Sequence, residues 1–275
     1  MTLTVTSVNL NGIRAAHKRG FLPWLHASDT DVLLVQEVRA PEEISREIMG
    51  EEWDSVWVPC RIKGRAGVGV AVRRGRARID GEPRLVLDDA ESDVDSGRWL
   101  EATVSREGGG VPVRVVSAYF HSGEKDTPKQ DAKMAHLPRI GNRMAELIAE
   151  EANGGVSSLV CGDFNVVRSR CDIKNWTPNH NKRAGVLDEE IAFLNRWVDE
   201  GWRDTVRDLA GDTQGPYSWW SWRGQAFVNN AGWRIDYQYA TPRLGALARS
   251  FDIGRAPDYD ARFSDHAPVS VTYDI

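Results

Sequence analysis

The segment "LVCGDFNVVR", residues 159–168, begins like a buried strand and ends in polar groups. Three apolar residues, Cys161 the last of them, lead directly into Gly162, Asp163 and, after one phenylalanine, Asn165. Glycine, aspartate and asparagine are common turn formers, so a plain turn and a catalytic loop are both open interpretations. The ends of the other strands decide between them.

Strand-like segments rich in valine and threonine recur along the whole chain. They occupy residues 2–8, 31–38, 67–74, 98–105, 111–120, 157–164, 234–241 and 267–275. Helical spacing appears at 21–28, 130–152 and 188–201, and we expect Pro138 to break the second helix or to lie in its first turn. Residues 91–97 are expected to form an acidic surface loop. This order predicts an α/β fold, with residues 1–275 as one domain of two packed sheets and helices outside.

Composition limits the class of protein without naming a partner. Forty acidic residues against 35 basic ones give a net charge of −5, which argues against binding nucleic acid by overall positive charge. A local basic face with a divalent cation remains compatible with a phosphate-handling enzyme. The three cysteines have neither zinc-site spacing nor the pattern of a disulfide framework, and Cys161 is expected to pack inside a strand. Without a signal peptide or an apolar run of about 18 residues, we expect a cytoplasmic protein with no membrane association.

Four further strands end in polar side chains, as the opening one does. They are Asn9 and Asn11 in "SVNLNGIRA", Glu37 in "LLVQEVR", Asp236 in "RIDYQYA", and Asp265 and His266 in "FSDHAPV". Buried carboxylates are unfavourable unless they are paired or bind a metal, so five such strand ends indicate one shared site. Oxygen ligands without a cysteine or histidine cluster favour a hard cation such as Mg²⁺ or Mn²⁺ over zinc.

The motifs "SVNLNGIRA", "LLVQEVRA", "GDFN", "GWRIDY" and "SDHAPV", in this order, resemble the exonuclease III and AP endonuclease family of the metal-dependent endonuclease/exonuclease/phosphatase superfamily. The resemblance runs from residue 4 to residue 275, and "DIKNW" and "YSWWSW" narrow it to the DNA-repair branch. It implies a four-layered α/β sandwich of the deoxyribonuclease I type. It also implies Mg²⁺-dependent cleavage of DNA 5′ to abasic sites, often with 3′-to-5′ exonuclease and 3′-end-cleaning activity.

The resemblance assigns catalytic roles. Asp163 matches the residue that positions and deprotonates the attacking water, and Asn165 matches the amide that orients this water or bonds a phosphate oxygen. His266 matches the histidine that contacts the scissile phosphate, with Asp236 orienting its imidazole. Tyr119, in "SAYFHSG", resembles a tyrosine that reaches the phosphate, although core packing at a strand end is the competing interpretation.

The same resemblance implies the metal site. Glu37 matches the principal metal ligand, and Asp265, Asn9 and Asn11 surround it as ligands or hydrogen-bonding neighbours. The implied cofactor is Mg²⁺, with Mn²⁺ as a possible substitute.

Aromatic and polar residues are implied on the substrate side. Trp219 and Trp233 align with the walls of a pocket for a flipped-out abasic sugar, whose extrusion is least unfavourable where the base is missing. Arg14 and Asn175 lie in motifs that match contacts to the DNA backbone. The implied partner is double-stranded DNA with abasic sites or 3′ ends, and we expect a monomer.

Three positions depart from the family pattern. His121 stands where proline is common, Arg168 where many relatives have histidine, and Arg183 where asparagine is usual. Because Arg168 and Arg183 are expected near the DNA path, the balance between endonuclease and exonuclease action stays open.

Two alternatives remain at this stage. The first is another enzyme of the superfamily, either mainly a 3′-to-5′ exodeoxyribonuclease or a nonspecific phosphodiesterase or phosphatase. The second is a DNA-associated binding protein that no longer catalyses, which the presence of Glu37, Asp163, Asp236 and His266 disfavours.

Overall fold

Two six-stranded sheets packed face to face form the centre of the computed structural model, which describes residues 2–275. The first sheet contains, in spatial order, β11 (Ala248–Ile253), β12 (Val269–Asp274), β1 (Thr2–Asn9), β2 (Val32–Gln36), β4 (Val68–Arg73) and β3 (Trp53–Val58). The second contains β5 (Ala77–Arg84), β6 (Trp99–Arg106), β7 (Val113–Tyr119), β8 (Ser157–Asp163), β10 (Asp236–Ala240) and β9 (Arg203–Asp204). Each sheet has one parallel pair near its centre, β1 with β2 and β7 with β8, and its other neighbours are antiparallel.

In the part of the chain that the structure describes, eight helices pack around the two sheets. They are α1 (Ile13–Lys18), α2 (Phe21–Ala27), α3 (Glu42–Met49), α4 (Pro128–Ala152), α5 (Trp176–Asn179), α6 (Asp188–Asp199), α7 (Thr205–Ala210) and α8 (Pro242–Gly245), with a 3₁₀ turn at Arg170–Asp172. Apolar residues of α1 to α3 pack on the first sheet, and those of α4 and α6 pack on the second. This order of layers confirms the predicted four-layered α/β sandwich. Within residues 2–275, no helix has the length and apolar character needed to cross a bilayer.

Strand β8, which contains residues 159–161, contributes side chains to two hydrophobic cores. Leu159 and Cys161 lie in the core between the sheets, whereas Val160 lies in the core under α4 and α6. Successive side chains of a strand point to opposite faces, so a strand buried on both faces is apolar throughout. All three side chains are fully buried, which confirms the prediction for Cys161.

Polar side chains join the two sheets close to the strand ends. Gln36 Nε2 donates to Ser117 Oγ at 3.0 Å across the sheet interface. Gln36 directly precedes Glu37, and Ser117 lies two residues before Tyr119. Gln238 Nε2 donates to main-chain carbonyls of β1 and β12 at 3.0 and 2.9 Å. Because these bonds are directional and buried, they set how one sheet is placed over the other.

Helix α4 continues through Pro138, so the expected break is wrong. Proline removes one main-chain hydrogen bond from a helix interior, but its ring here lies on the exposed face. Leu137 and Ile140, on either side of it, are buried against the second sheet. This packing compensates for the missing bond, and the same chain segment remains helical from residue 128 to residue 152.

Several short elements were not predicted from the sequence. Strands β3, β5, β9 and β11 are the edge strands of the two sheets, and the helices other than α2, α4 and α6 have between four and eight residues. Edge strands bury less side-chain surface and carry charges or turn formers, as Gly81 and Pro83 within β5 illustrate. The apolar pattern of β5, β9 and β11 is therefore weak, whereas β3 does alternate buried and more exposed residues.

The acidic segment 91–97 forms the expected surface loop, with residues 92–94 exposed, but its second half is docked on the protein. Asp95 is 8% exposed, its Oδ1 lies 2.8 Å from His121 Nε2, and its Oδ2 accepts a hydrogen bond from Arg139 at 2.9 Å. Burial by itself raises the pKa of Asp95, but hydrogen bonds from Ser92, His121 and Arg139 lower it well below its usual range. Burial lowers the pKa of His121 to about 4.

A buried charge cluster lies beside the start of β10. Arg234 is fully buried, and its guanidinium donates to Asp172 at 2.6 Å and to both carboxylate oxygens of Asp204 at 2.8 Å. Arg207 also binds Asp172 at 2.6 Å, and Arg168 binds Asp204 at 3.2 Å. Buried carboxylates become strongly destabilising when a partner is removed, so Arg234 is central to this part of the fold.

Replacing Arg234 by methionine should lower the free energy of unfolding by about 3–5 kcal/mol, because two buried carboxylates lose their main partner. Urea denaturation followed by circular dichroism measures the change. The matched control is Arg46→Gln, which breaks an exposed i,i+4 pair with Glu42 on α3 and should lose only about 0.3–0.5 kcal/mol. Similar losses in the two variants would contradict a special role for the cluster.

Candidate active site

Parallel strand pairs bring polar side chains to one edge of each sheet. Asn9 ends β1, and Glu37 follows its parallel neighbour β2. In the second sheet, Tyr119 and Asp163 end the parallel strands β7 and β8 and are register partners. Because parallel strands end at the same edge, each pair of side chains is placed together by topology alone.

Antiparallel neighbours complete the arrangement by starting where these strands end. β10 begins at Asp236, whose register partner on β8 is Asp163. β12 runs antiparallel to β1, so Asp265 and His266, just before β12, lie next to the end of β1. Six strands thus contribute to one site.

Nine of the thirteen residues expected at the site line one cleft of about 290 Å³: Asn11, Glu37, Tyr119, Asp163, Asn165, Trp219, Trp233, Asp265 and His266. Asn9 and Asp236 are buried beside them and bond to cleft residues. Arg14 and Asn175 are exposed and lie outside the lining.

Strands β1 and β8 end in the same kind of turn. The side chain of Asn9 accepts the main-chain N–H of Asn11, and that of Asp163 accepts the N–H of Asn165, each at 2.9 Å. Both donating residues, Asn11 and Asn165, have left-handed backbone, with φ of 47° and 52°, which asparagine tolerates well. Glu37 also has φ of 48°, and such conformations in longer side chains are concentrated at functional sites. The segment 159–168 therefore forms a turn, as one interpretation predicts, and this turn carries residues of the cleft, as the other predicts.

Gly162 permits the close approach that places Asp163. A Cβ atom at this position would lie 1.8 Å from the carbonyl oxygen of Ala118 on β7, and its φ is 146°. No side chain fits there. The glycine of "GDFN" is thus required by the packing of β8 against β7.

Asp163 is a buried carboxylate surrounded by donors. Its Oδ2 accepts Asn9 Nδ2 at 2.9 Å and Asn165 Nδ2 at 3.2 Å, and it lies 3.7 Å from His266 Nε2. Burial, together with the negative charges of Asp236 and Glu37, raises the pKa of Asp163 to about 7, although the charge of His266 opposes the shift. A carboxylate that exchanges a proton near neutral pH is suited to act as a general base.

His266 is held as a cation between two acids. Its Nδ1 lies 2.9 Å from Asp236 Oδ2, which also accepts the hydroxyl of Ser218 at 2.6 Å. Burial alone lowers the pKa of His266, but the charges of Asp236 and Asp163 outweigh it and raise this pKa to about 10. The imidazolium can therefore donate from Nε2 while Asp236 fixes its orientation. Ser218 was missed from the sequence, and its only signal is its place beside Trp219 in "YSWWSW".

Tyr119 and Arg39 both donate to Glu37. The tyrosine hydroxyl bonds one carboxylate oxygen, and the Arg39 guanidinium bonds the other. Burial and the charges of Glu37 and Asp163 raise the pKa of Tyr119 well above its usual value, so the phenol stays protonated. Tyr119 also packs in the core between the sheets, so both interpretations of this residue describe real contacts. Arg39 was not predicted, although "QEVRA" places it two residues after Glu37.

The donor set fits a hard cation. Glu37 and Asp265 supply carboxylate oxygens to the cleft, and Asn11 Nδ2 donates to Asp265 at 2.8 Å, which leaves the amide oxygen of Asn11 available. Magnesium in proteins is commonly held by one or two carboxylates together with waters and substrate phosphates. Both ends of the Asn9 amide are engaged by Asp163 and the Asn11 main chain, so Asn9 is a hydrogen-bonding neighbour here.

A second possible set of metal ligands lies beside the first one. Across residues 2–275, Asp163, Asp236 and His266 form the one set of three carboxylate, imidazole or thiol ligands whose atoms lie within 4.8 Å of one another. A histidine must be deprotonated to bind a metal, and the pKa of His266 is raised to about 10. This set is therefore better suited to proton transfer than to metal binding.

Two tryptophans form an apolar wall beside these groups. Trp219 Nε1 donates to Asp265 Oδ2 at 3.0 Å, and its ring packs edge to face against Trp233 with centroids 5.6 Å apart. The Trp219 ring lies 6.4 Å from the His266 ring. The wall is thus attached directly to the acidic centre.

The departures from the family pattern have different surroundings. The Arg168 guanidinium bonds Asp204 at 3.2 Å in the buried charge cluster, and its side chain is 19% exposed. Arg183 is exposed. His121 is buried against Asp95.

Comparisons with known proteins agree with this arrangement. Residues 6–266 match the Endonuclease/Exonuclease/phosphatase family. An exodeoxyribonuclease of Bacillus subtilis (strain 168) is 28% identical over 276 residues, covering 99% of this chain and 100% of its own length. An exodeoxyribonuclease of Streptococcus pneumoniae serotype 4 is 35% identical over 276 residues, covering 95% of this chain and 93% of its own.

Solved structures share the fold. An AP endonuclease from Archaeoglobus fulgidus superimposes with a TM-score of 0.81 at 22% identity, covering 99% of this chain and 100% of its own. A 3′-5′ exonuclease from Neisseria meningitidis superimposes with a TM-score of 0.78 at 23% identity, with the same coverage. By sequence match, fold and relatives, this chain belongs to the Endonuclease/Exonuclease/phosphatase family.

Proposed function

We propose that this protein is a Mg²⁺-dependent DNA-repair nuclease that hydrolyses the DNA backbone 5′ to abasic sites. We further propose 3′-to-5′ exonuclease and 3′-end-cleaning activity on double-stranded DNA, with residues 1–275 acting as one monomeric catalytic domain. The observation that carries the proposal is the cleft that combines Asp163, the Asp236–His266 pair and Glu37 with an aromatic wall. A relative from Dictyostelium discoideum, 25% identical over 281 residues, is a DNA-(apurinic or apyrimidinic site) endonuclease.

Each group has a role in phosphodiester hydrolysis. Asp163 accepts a proton from the attacking water, and Asn165 orients this water beside it. His266, as an imidazolium, and Tyr119, as a phenol, donate hydrogen bonds to phosphoryl oxygens as negative charge develops there. Magnesium, held by Glu37 with oxygens of Asp265 and Asn11, would neutralise charge on the phosphate when bound.

The aromatic wall supports selection of the lesion. An abasic sugar is small and lacks a base that must be unstacked, so an apolar pocket beside the catalytic groups admits it more readily than an intact nucleotide. Trp219 and Trp233 provide that surface next to His266. Arg14 and Asn175, exposed outside the cleft, are proposed contacts to the DNA backbone, which positions the duplex without reading its sequence.

The direct test uses a labelled duplex with one abasic-site analogue beside an undamaged duplex with recessed 3′ ends, each in Mg²⁺ and in EDTA. A single Mg²⁺-dependent nick 5′ to the lesion is expected. Stepwise shortening from the 3′ ends without that nick would favour the second candidate, a mainly exonucleolytic enzyme, which the exodeoxyribonuclease relatives support. No cleavage of either duplex would refute both.

Asp163→Asn should reduce kcat by about 10²–10⁴-fold, because the amide cannot accept the proton of the attacking water. The fold should persist, since an asparagine keeps the shape of the side chain, and circular dichroism can verify this. Asp199→Asn, at the exposed end of α6, serves as the control and should cleave at the normal rate. Near-normal turnover by the Asp163 variant would remove its proposed role.

The pH dependence of kcat/KM should show an acid limb near pH 7. Asp163 works unprotonated and its pKa is raised to about 7, so activity falls as the pH drops through that value. His266 works protonated and its pKa is raised to about 10, so activity should hold up to pH 9 and fall only above it. Values of kcat/KM from pH 5 to pH 9.5 measure the acid limb and the plateau above it, and an acid limb midpoint below pH 5 would contradict the assignment to Asp163.

Trp233→Ala should lower the ratio of abasic-site cleavage to trimming of intact 3′ ends. Removing one aromatic wall should lower abasic-site cleavage by about 10- to 100-fold, the effect of roughly 1.5–3 kcal/mol of lost apolar contact with the sugar, and should change 3′-end trimming less. Cleavage of the two duplexes under single-turnover conditions gives the ratio. Trp24→Ala, a partly buried tryptophan packed on Phe263, is the control and should leave the ratio unchanged.

A further inference from the structure

A buried ion pair lies behind the cleft and has no part in the chemistry described so far. Lys133 on α4 and Glu190 on α6 place Nζ and Oε1 2.7 Å apart, with side chains 1% and 0% exposed. Burying two charges is unfavourable, and such pairs often add little stability compared with apolar residues of the same size. The contacts of this pair show what else it does.

The Lys133 ammonium uses its three donors on three different segments. Besides Glu190, it donates to the carbonyl of Asn165 at 2.9 Å and to that of Ser122 at 3.4 Å. An ammonium has three donors and no acceptor, so its hydrogen-bonding capacity is filled. One buried charge thus links α6 to the loops that follow β7 and β8.

Glu190 extends the link to a third loop. Its Oε2 accepts the main-chain N–H groups of Gly185 and Leu187 at 2.5 and 3.3 Å. Its Oε1 also accepts Gln130 Nε2 at 2.8 Å, which ties it to the first turn of α4. The Glu190 carboxylate therefore anchors the loop 183–187 through two main-chain N–H groups.

Each of the three loops contributes one residue to the same wall of the cleft. Ser122, Asn165 and Ala184 line it, and each lies at or next to a main-chain group bonded by Lys133 or Glu190. The loops that form this wall of the cleft are therefore bonded on their buried side by the Lys133–Glu190 pair.

The link to Asp163 runs through the main chain of Asn165. Its carbonyl is held by Lys133 on one side, and a Cβ atom on Gly185, whose φ is +85°, would come within 2.7 Å of it on the other. The N–H of the same residue bonds Asp163 Oδ1 at 2.9 Å. Fixing this one residue therefore fixes the carboxylate proposed as the base.

We propose that Lys133, paired with Glu190, is a positioning residue that holds the Asp163–Asn165 turn and its two flanking loops as one preorganised wall. This inference rests on the proposed function, because Lys133 does not touch the substrate and acts through Asp163. A displacement of about 1 Å in a reacting group can slow a reaction by about 100-fold, so loosening this wall should reduce kcat more than it weakens binding.

The test compares two charge-balanced double variants, because Lys133→Met alone would leave a buried carboxylate unpaired. The first, Lys133→Met with Glu190→Gln, removes the proposed pair. The second, Arg143→Met with Glu101→Gln, removes another buried pair anchored on α4, in which Arg143 bonds both Glu101 oxygens at 2.8 Å outside the cleft. Thermal unfolding, kcat, KM and amide hydrogen exchange are measured for both.

The first double variant should lose about 10- to 100-fold in kcat with KM changed less than about threefold. Its amides in residues 119–123, 163–167 and 183–187 should exchange faster. The control should lose stability but keep the wild-type kcat and exchange in these segments. Gly185→Ala leaves both charges in place but presses on the Asn165 carbonyl, and less closely on the Trp233 ring, so it should also lower kcat.

Equal losses of kcat in both double variants would overturn the proposal, since general destabilisation would explain them. Wild-type kcat and exchange in the Lys133 variant would also overturn it. If the wild-type protein cleaved neither duplex, the proposed function would fail, and the exchange comparison would still decide whether the pair holds the three loops.

Discussion

Burial of the Asp163 carboxylate is the constraint on which the site depends. Away from water this charge needs several donors, and Asn9, Asn165 and His266 supply them from three different segments. Those segments can meet only if parallel strands end at one edge and antiparallel partners begin there. The four-layered sandwich provides that edge, and Gly162 lets the two strands behind it approach closely enough.

Charge is concentrated at this edge in a way that total charge does not reveal. Three carboxylates repel one another at this edge: Asp163, Asp236 and Glu37. Among the described side chains that line the cleft, His266 and Arg39 are the two that offset this negative charge. A divalent cation and a protonated imidazole are natural ways to offset such a cluster. The acidic net charge of the chain is therefore compatible with a polyanionic substrate, because local compensation matters more than the sum.

Much of the fold and most of the cleft could be predicted from the sequence. Strands with apolar cores and polar ends were found because those signals are local, and nine expected residues do share one cleft. Edge strands, the docking of Asp95 and the unbroken helix through Pro138 were not found, because each depends on what packs against it. The pairing of Arg168 with Asp204 was not found for the same reason, because the two residues are distant in sequence.

The sequence by itself determined which chemical groups stand at strand ends, since glycine, asparagine and aspartate mark those turns through their own backbone preferences. Only the tertiary structure decided which of these groups meet, which are protonated and which are held. Proton affinity depends on burial and on charges brought from other strands, as the pKa of His266 shows. The Lys133–Glu190 pair depends on two helices, distant in sequence, that pack side by side on the second sheet, so no local pattern could reveal it.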